Sequence, residues 1–99
     1  MTRVVLDPKA EEDLAAYLDH VAEESLEAAL RQDQRVAEAL ARLAAYPRVG
    51  RKVRIRDWTD EVRSLVLRRT PLRAFYTERT GGGIYVVRLY HGAREPLTR

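Results

Sequence analysis

Cysteine is absent from this chain of 99 residues, which excludes disulfide bonds, thiolate metal sites and cysteine nucleophiles. The two histidines, His20 and His91, are too few for a histidine-rich metal site. No stretch approaches the roughly 18 apolar residues that argue for a membrane span, and the N-terminal segment lacks the apolar run of a signal peptide. We therefore expect a cytoplasmic protein with no cofactor, no metal and no membrane contact.

The length of the chain suits one domain, 1–99, with a small core, because small domains bury a smaller share of their surface. Hydrophobic residues make up 45 % of the chain and charged residues 33 %, which is typical of a soluble globular protein. The sequence contains no internal repeat and no linker that would divide it. Because disulfide bonds are excluded, its stability must come from packing.

Charge is distributed unevenly along the chain. Residues 1–46 carry five Lys/Arg and ten Asp/Glu, a net charge of −5, whereas residues 47–99 carry thirteen Lys/Arg and five Asp/Glu, a net charge of +8. Sixteen of the eighteen basic residues are arginine, whose planar guanidinium binds phosphate or carboxylate through paired hydrogen bonds. A GC-rich genome would raise the arginine content but would not separate the charges. The second half is therefore expected to bind an anionic partner, either nucleic acid or an acidic protein segment.

Two helices are predicted in the acidic half. Asp7 and Pro8 suit the cap and first position of one helix, and Ser25 can cap another that ends at Tyr46-Pro47. The short break between them favours an antiparallel helical hairpin, with one bent helix as the alternative. The apolar stripes are Ala10, Leu14, Tyr17, Leu18, Val21 and Ala22 in the first helix and Leu26, Leu30, Val36, Ala37, Leu40, Leu43 and Ala44 in the second.

The hydrophobic period changes from 3.6 to 2 after Pro47 and Gly50, which indicates strands. The predicted strands are 2–6, 62–69, 72–77 and 84–91; residues 51–56 are extended and basic, 57–60 form a loop around Trp58, and 81–83 are three glycines. The predicted fold class is α+β, in the order β-α-α-β-β-β, with a helical hairpin packed on one face of a small antiparallel sheet. Strict alternation puts Arg63 on the face of Leu65 and Leu67, Arg73 on that of Phe75, and His91 on that of Tyr85, Val87 and Leu89.

Five segments, taken together, resemble ParE-type toxins of the ParE/RelE toxin superfamily. They are Val4 to Leu14, Tyr46-Pro47-x-x-Gly50, Val62-Arg63, Leu72 to Tyr76, and Tyr90-His91-Gly92-Ala93-Arg94-Glu95-Pro96. Each is weak alone, but the order and spacing are specific over nearly the whole chain. The resemblance implies a RelE/ParE-like fold and the toxin of a type II toxin–antitoxin system. Such a toxin is neutralised by a cognate antitoxin, and operator DNA is contacted only through that antitoxin.

The superfamily contains two activities that its fold cannot separate. ParE members imply DNA gyrase as the target, whereas RelE members cleave mRNA within the ribosome. In the nuclease interpretation, Arg73 matches the arginine placed against the phosphate, and His91 lies where several members carry a catalytic residue. Proton transfer by paired lysines or a glutamate has no confident counterpart, since Lys52, Glu61 and Glu78 do not align with those positions. We therefore predict a toxin that inhibits DNA gyrase by binding, with a ribosome-dependent mRNA endoribonuclease as the alternative.

The residues predicted to bind the target or the antitoxin are mostly basic. They are Arg51, Lys52, Arg54, Arg63, Arg73, His91 and Arg94. We expect Arg63 and Arg73 to lie in or beside the antitoxin contact, formed by strand addition or by filling of a hydrophobic groove. An orphan member that keeps only antitoxin binding, and a generic RNA-binding domain, are further alternatives.

Several of these residues also have structural interpretations. Arg73 is equally suited to bridging strands or to tying down the C-terminal tail, and His91 to donating a hydrogen bond at the end of a strand. Arg63 is placed to pair with Asp60 or Glu61, and the basic run 51–56 to protect a strand edge from aggregation. Trp58 is interpreted as a packed anchor of its loop, with a role in recognition as the alternative, since it is the one tryptophan of the sequence.

Overall fold

Residues 3–92 are described by the computed structural model, which contains two helices and five strands. In chain order the elements are β1 (Val4–Leu6), α1 (Pro8–Ala22), α2 (Leu26–Ala45), β2 (Arg51–Val53), β3 (Val62–Val66), β4 (Leu72–Glu78) and β5 (Ile84–His91). The predicted fold class and the order of its elements are confirmed. The extended basic run contributes β2 as a short additional strand.

The helix ends follow the capping residues that the sequence contains. The Asp7 carboxylate accepts a hydrogen bond from the Lys9 amide at 2.9 Å, and Pro8 occupies the first helical position of α1. The Ser25 hydroxyl accepts one from the Ala28 amide at 3.0 Å and opens α2. Two separate helices are therefore present, rather than one bent helix. None of the described helices is long and apolar enough to cross a membrane.

The sheet has the order β1-β5-β4-β3-β2. The three neighbouring pairs from β2 to β5 are antiparallel, but β1 runs parallel to β5, with Val4 opposite Ile84 and Leu6 opposite Val86. The sheet is thus mixed, not wholly antiparallel as predicted. The direction of a three-residue strand is set by the helical hairpin that follows it, which periodicity within the strand cannot reveal.

The helices cover one face of the sheet and enclose the main core. The sheet contributes Leu67, Leu72, Ala74, Tyr76, Ile84, Val86 and Leu89, and the helices contribute Ala10, Val36, Leu40, Leu43 and Ala44. The predicted stripe of α2 is correct at Val36, Leu40, Leu43 and Ala44. It is wrong at Leu26 and Leu30, which are 68 % and 63 % exposed, and at Ala37, which is also exposed. Ala29 is buried instead in the first half of α2.

A β-bulge changes the predicted alternation of β5. Phe75 pairs with Arg88 and Tyr76 with Val86, so Val87 is an extra residue on β5. His91 therefore shares the helix-covered face with Leu89, as predicted, but not with Tyr85 or with Val87, which lies with Arg88 and Trp58 on the other face. The predicted faces of Arg63 and Arg73 are correct, because no extra residue interrupts the pairing of β3 with β4.

The other face of the sheet carries a smaller apolar layer. Phe75 and Ser64 are only 0 % and 1 % exposed there. Residues 54–61, which we call the Trp58 segment, pass over this face, and the Trp58 ring stacks on Tyr85 with centroids 6.1 Å apart. The predicted role of Trp58 as an anchor of its loop is confirmed by this contact.

Candidate functional site

The loop after α2 is fastened to the sheet by a buried tyrosine. The Tyr76 hydroxyl donates a hydrogen bond to the Pro47 carbonyl at 2.8 Å and accepts one from the Gly50 amide at 3.0 Å. A Cβ on Gly50 would lie 2.5 Å from that hydroxyl and 2.8 Å from the Ser64 carbonyl oxygen, so no other residue fits without a shift. Burial is the main cause that raises the pKa of Tyr76. The Tyr46-Pro47-x-x-Gly50 motif is therefore a structural feature.

Arg63 holds the same loop from the neighbouring strand. Its guanidinium donates hydrogen bonds to the Gly50 carbonyl at 2.8 Å and to the Arg48 carbonyl at 3.1 Å, and it pairs with Glu61 at 3.0 Å. Its side chain is 18 % exposed. These contacts match the structural interpretation of Arg63, and its predicted place beside the antitoxin stays a prediction.

Arg73 lies on the sheet face that the helices leave free. It is opposite Val66 on β3 and Tyr90 on β5, and its guanidinium donates a hydrogen bond to the Ser64 hydroxyl at 3.2 Å. The guanidinium thus bridges two strands while the residue stays partly exposed. Arg51 is paired with Ser64 in the register of β2 and β3, so it belongs to this face too.

His91 lies on the opposite face. Its ring is 5.7 Å from the ring of Tyr17 on α1, centroid to centroid, and the residue is exposed. The sheet therefore separates His91 from Arg73, although their strands are neighbours. The structure does not bring the two candidate catalytic residues together.

The other predicted basic residues form a dispersed edge. Lys52 and Arg54 are exposed, and the Lys52 amine is 3.9 Å from a Glu61 carboxylate oxygen. Arg51 is also exposed and takes part in an interaction of its own. Arg94 lies outside the described residues. Within residues 3–92, no group of His, Asp and Glu side chains is arranged to hold a metal ion.

An apolar groove lies between the second half of α2 and β3, and sequence reasoning did not predict its position. It has a volume of about 270 Å³ and is lined by Ala39, Arg42, Leu43, Tyr46, Val49, Leu65, Val66, Leu67 and Arg68. Tyr46, Val49 and Val66 are 71 %, 62 % and 49 % exposed. Because β2 is paired only with Val62 to Ser64, the end of β3 that borders the groove is an open strand edge within the described part of the chain.

Four arginines surround a notch at one end of the apolar groove. This arginine notch, of about 200 Å³, is lined by Arg35 and Arg42 of α2, by Arg68 and Arg69 of the β3–β4 turn, and by Glu38 and Ala39. The notch and the groove share Ala39, Arg42 and Arg68 and are therefore continuous. The sequence contains two signals for this notch: Arg35 and Arg42 are seven residues apart on one helix, and Arg68 and Arg69 are adjacent at a turn. Only the fold shows that the two pairs lie together.

The helical hairpin is tied to β5 by an ion pair that sequence reasoning also missed. The Arg88 guanidinium donates two hydrogen bonds to the Asp13 carboxylate, at 2.8 and 3.0 Å, and the Leu89 amide donates a third at 3.0 Å. The hydrogen bond with Asp13 is the largest cause that raises the pKa of Arg88. Arg88 also lies 4.5 Å above the Tyr90 ring.

Comparison with known proteins places these features in a family. The family model described as the ParE toxin of type II toxin–antitoxin system, parDE, matches residues 4–96. A solved chain described as the chromosomal ParDE TA system from P. aeruginosa has 29 % sequence identity and a TM-score of 0.68, with 93 % of this chain and 97 % of that chain covered. No curated protein sequence matches significantly.

Proposed function

This chain belongs to the ParE toxin family of type II toxin–antitoxin systems, and from that premise we propose that it inhibits DNA gyrase by binding to it. Gyrase is the target that the ParE branch implies. A cognate antitoxin keeps the toxin silent, and operator DNA is contacted only through that antitoxin.

The observation that carries the choice of binding over catalysis is the separation of Arg73 from His91. General acid–base catalysis requires the proton-transfer group within hydrogen-bond reach of the atom it serves. A phosphate held by Arg73 would lie on the helix-free face, whereas the His91 ring packs beside Tyr17 on the other. Arginine itself is a poor base because its pKa exceeds about 12. The arrangement therefore supports a toxin that docks onto its target.

The antitoxin contact is best supported at the apolar groove and its arginine notch. Three large apolar side chains are exposed side by side in the groove, which would cost solvation free energy if the surface stayed uncovered. The open edge of β3 offers backbone hydrogen bonds to an extended segment. Four arginines and one glutamate at the adjoining notch favour carboxylates. A segment that combines apolar anchors with acidic residues fits all three features.

The test is an assay of both superfamily activities with the same purified toxin. We expect supercoiling by purified gyrase to stop in the presence of toxin and to resume when cognate antitoxin is added. Messenger RNA on translating ribosomes should stay intact in parallel samples. Unimpaired supercoiling at saturating toxin would eliminate gyrase as the target, and mRNA cleavage that depends on Arg73 would establish the nuclease alternative.

A further inference from the structure

A second pocket lies on the helix-free face, away from the apolar groove. It has a volume of about 420 Å³ and is formed between the Trp58 segment and β5, which contributes Val87, Arg88 and Tyr90 to its lining. Asp7 and Lys9, at the start of α1, close one side. We call it the Trp58 pocket. It shares no lining residue with the groove or the notch.

Within residues 3–92, the indole N–H of Trp58 is a buried donor without a hydrogen-bond partner. The indole ring packs on Tyr85 with an angle of 14° between the planes, but Nε1 has no hydrogen-bond acceptor in the described structure. A buried donor without an acceptor costs free energy, and a partner that supplies one recovers it on binding. Trp58 is thus better explained if the complex provides an acceptor.

The Trp58 segment has few backbone anchors. One backbone hydrogen bond is described within residues 54–60, and it runs from the Trp58 amide to the Ile55 carbonyl at 3.2 Å. Asp57 has a φ of 67°, a left-handed conformation that is uncommon for residues other than glycine. Since few backbone hydrogen bonds would have to break, the segment is able to adjust locally around the stacked Trp58 ring when a partner binds.

The pocket has the composition of a protein-binding hot spot. Trp, Tyr and Arg, the residue types enriched in hot spots, are combined there with the apolar side chains of Ile55 and Val87. The Arg88 guanidinium is already paired with Asp13, and the Asp7 carboxylate accepts hydrogen bonds from Tyr85 and Lys9. The charge offered to a ligand therefore comes mainly from the side chains of Lys9 and Arg56, opposed by Asp57.

A protein loop fits this pocket better than a nucleic acid base. Stacking of a base requires a free aromatic face. Tyr85 already occupies one face of Trp58 and Arg88 one face of Tyr90, so a base could use at most the remaining face of each ring. A volume of about 420 Å³ is enough for a few side chains of an inserted loop.

We propose that the Trp58 pocket receives a protruding loop of the toxin's protein target. This inference rests on the proposed function, in which that target is gyrase. The loop supplies a backbone carbonyl that accepts a hydrogen bond from Trp58 Nε1, an apolar side chain that packs on Val87, and a carboxylate that pairs with Arg56 or Lys9.

The test compares Trp58→Phe and Arg56→Glu with wild-type toxin in the gyrase supercoiling assay. Trp58→Phe keeps an aromatic ring but removes the donor, and we expect the inhibitory concentration to rise about tenfold, the equivalent of one hydrogen bond in an affinity. Arg56→Glu, at an exposed position, is expected to weaken inhibition at least as much. Affinity for the antitoxin should stay unchanged in both variants, which shows that they are folded.

Arg35→Ala is the matched control, because Arg35 lies in the arginine notch. It should weaken antitoxin binding and leave gyrase inhibition unchanged. The proposal is overturned if Trp58→Phe and Arg56→Glu both inhibit like wild type.

A failure of the proposed target is distinguishable from a failure of the pocket. If wild-type toxin does not inhibit gyrase, growth arrest in cells without antitoxin becomes the readout. Loss of arrest with both pocket variants then supports the pocket with a different protein target, and unchanged arrest overturns it.

Discussion

Several polar and basic side chains of this protein hold its own loops in place, although the same side chains are chemically suited to binding a partner. Arg63 and Tyr76 hold the loop 47–50 through hydrogen bonds to its backbone, and Gly50 is required by the close approach of Tyr76. The Tyr46-Pro47-x-x-Gly50 motif alone does not indicate that Tyr76 and Arg63 are the side chains that bind this loop. The structural role of these residues was therefore not predictable from the sequence, although Arg63–Glu61 pairing was.

The Tyr76 hydroxyl provides a test at this scale. Tyr76→Phe leaves the Gly50 amide and the Pro47 carbonyl without their partner, so we expect a loss of about 1–3 kcal/mol in the free energy of unfolding. Tyr46→Phe is the control, since Tyr46 is 71 % exposed. This substitution should change the free energy of unfolding by less than about 0.5 kcal/mol. Urea denaturation measures both. Equal stabilities of the two variants would contradict the role of Tyr76.

Asp7 gives a pH-dependent prediction. The hydrogen bond from Tyr85, at 2.6 Å, is the largest cause that lowers the pKa of Asp7 below its ordinary value of 3.8. A depressed pKa in the folded state contributes stability above the unfolded pKa and loses it as the pH falls through the folded pKa. Asp7→Asn should therefore be less stable than wild type at pH 7, by about 0.5–1.5 kcal/mol. The difference should shrink at a pH well below 3.8. An equal difference in denaturation curves at both pH values would show that the Asp7 charge is not involved.

At the scale of elements, local sequence signals predicted the helices and strands. The same signals did not predict how distant segments pair with one another. The caps Asp7 and Ser25 and the breaker Pro47 act within a few residues, so the helix ends were predictable. The bulge at Val87 contains no glycine or other local mark, and it reversed the predicted face of Tyr85 relative to His91. The apolar groove requires α2 and β3 to lie side by side, which no local pattern contains.

The groove predicts how antitoxin binding responds to substitution. Val49→Asp places a charge on its apolar lining, and we expect the affinity for antitoxin to fall by about thirtyfold or more, the equivalent of a hot-spot residue. Leu30→Asp is the matched control, because Leu30 is 63 % exposed but does not line the groove. Calorimetric titration of the purified pair is the measurement. Similar affinities for the two variants would place the antitoxin elsewhere.

At the scale of the whole molecule, the separation of charge along the sequence is only partly a separation in space. Arg35 and Arg42 come from the acidic half, yet they join Arg68 and Arg69 in the arginine notch. Asp13 of the acidic half is neutralised by Arg88 of the basic half. The family and the fold class were predictable from the sequence. The arginine notch was not, because it depends on which charges the fold brings together.

The Trp58 pocket, beside β5, and the apolar groove, between α2 and β3, are two distinct surfaces that share no lining residue. In this account neither surface performs chemistry, and inhibition depends on occupancy of the target. A toxin that acts by occupancy is consumed as it binds, whereas an enzyme turns over many substrate molecules.

The measurement that tests this claim most directly is a titration of gyrase supercoiling activity with purified toxin, at a gyrase concentration well above the dissociation constant. We predict that activity falls linearly and reaches its minimum at a fixed molar ratio of toxin to gyrase, which moves in proportion when the gyrase concentration is changed. Complete inactivation by far less than one toxin molecule per gyrase, or scission of mRNA by the same preparation, would contradict the account.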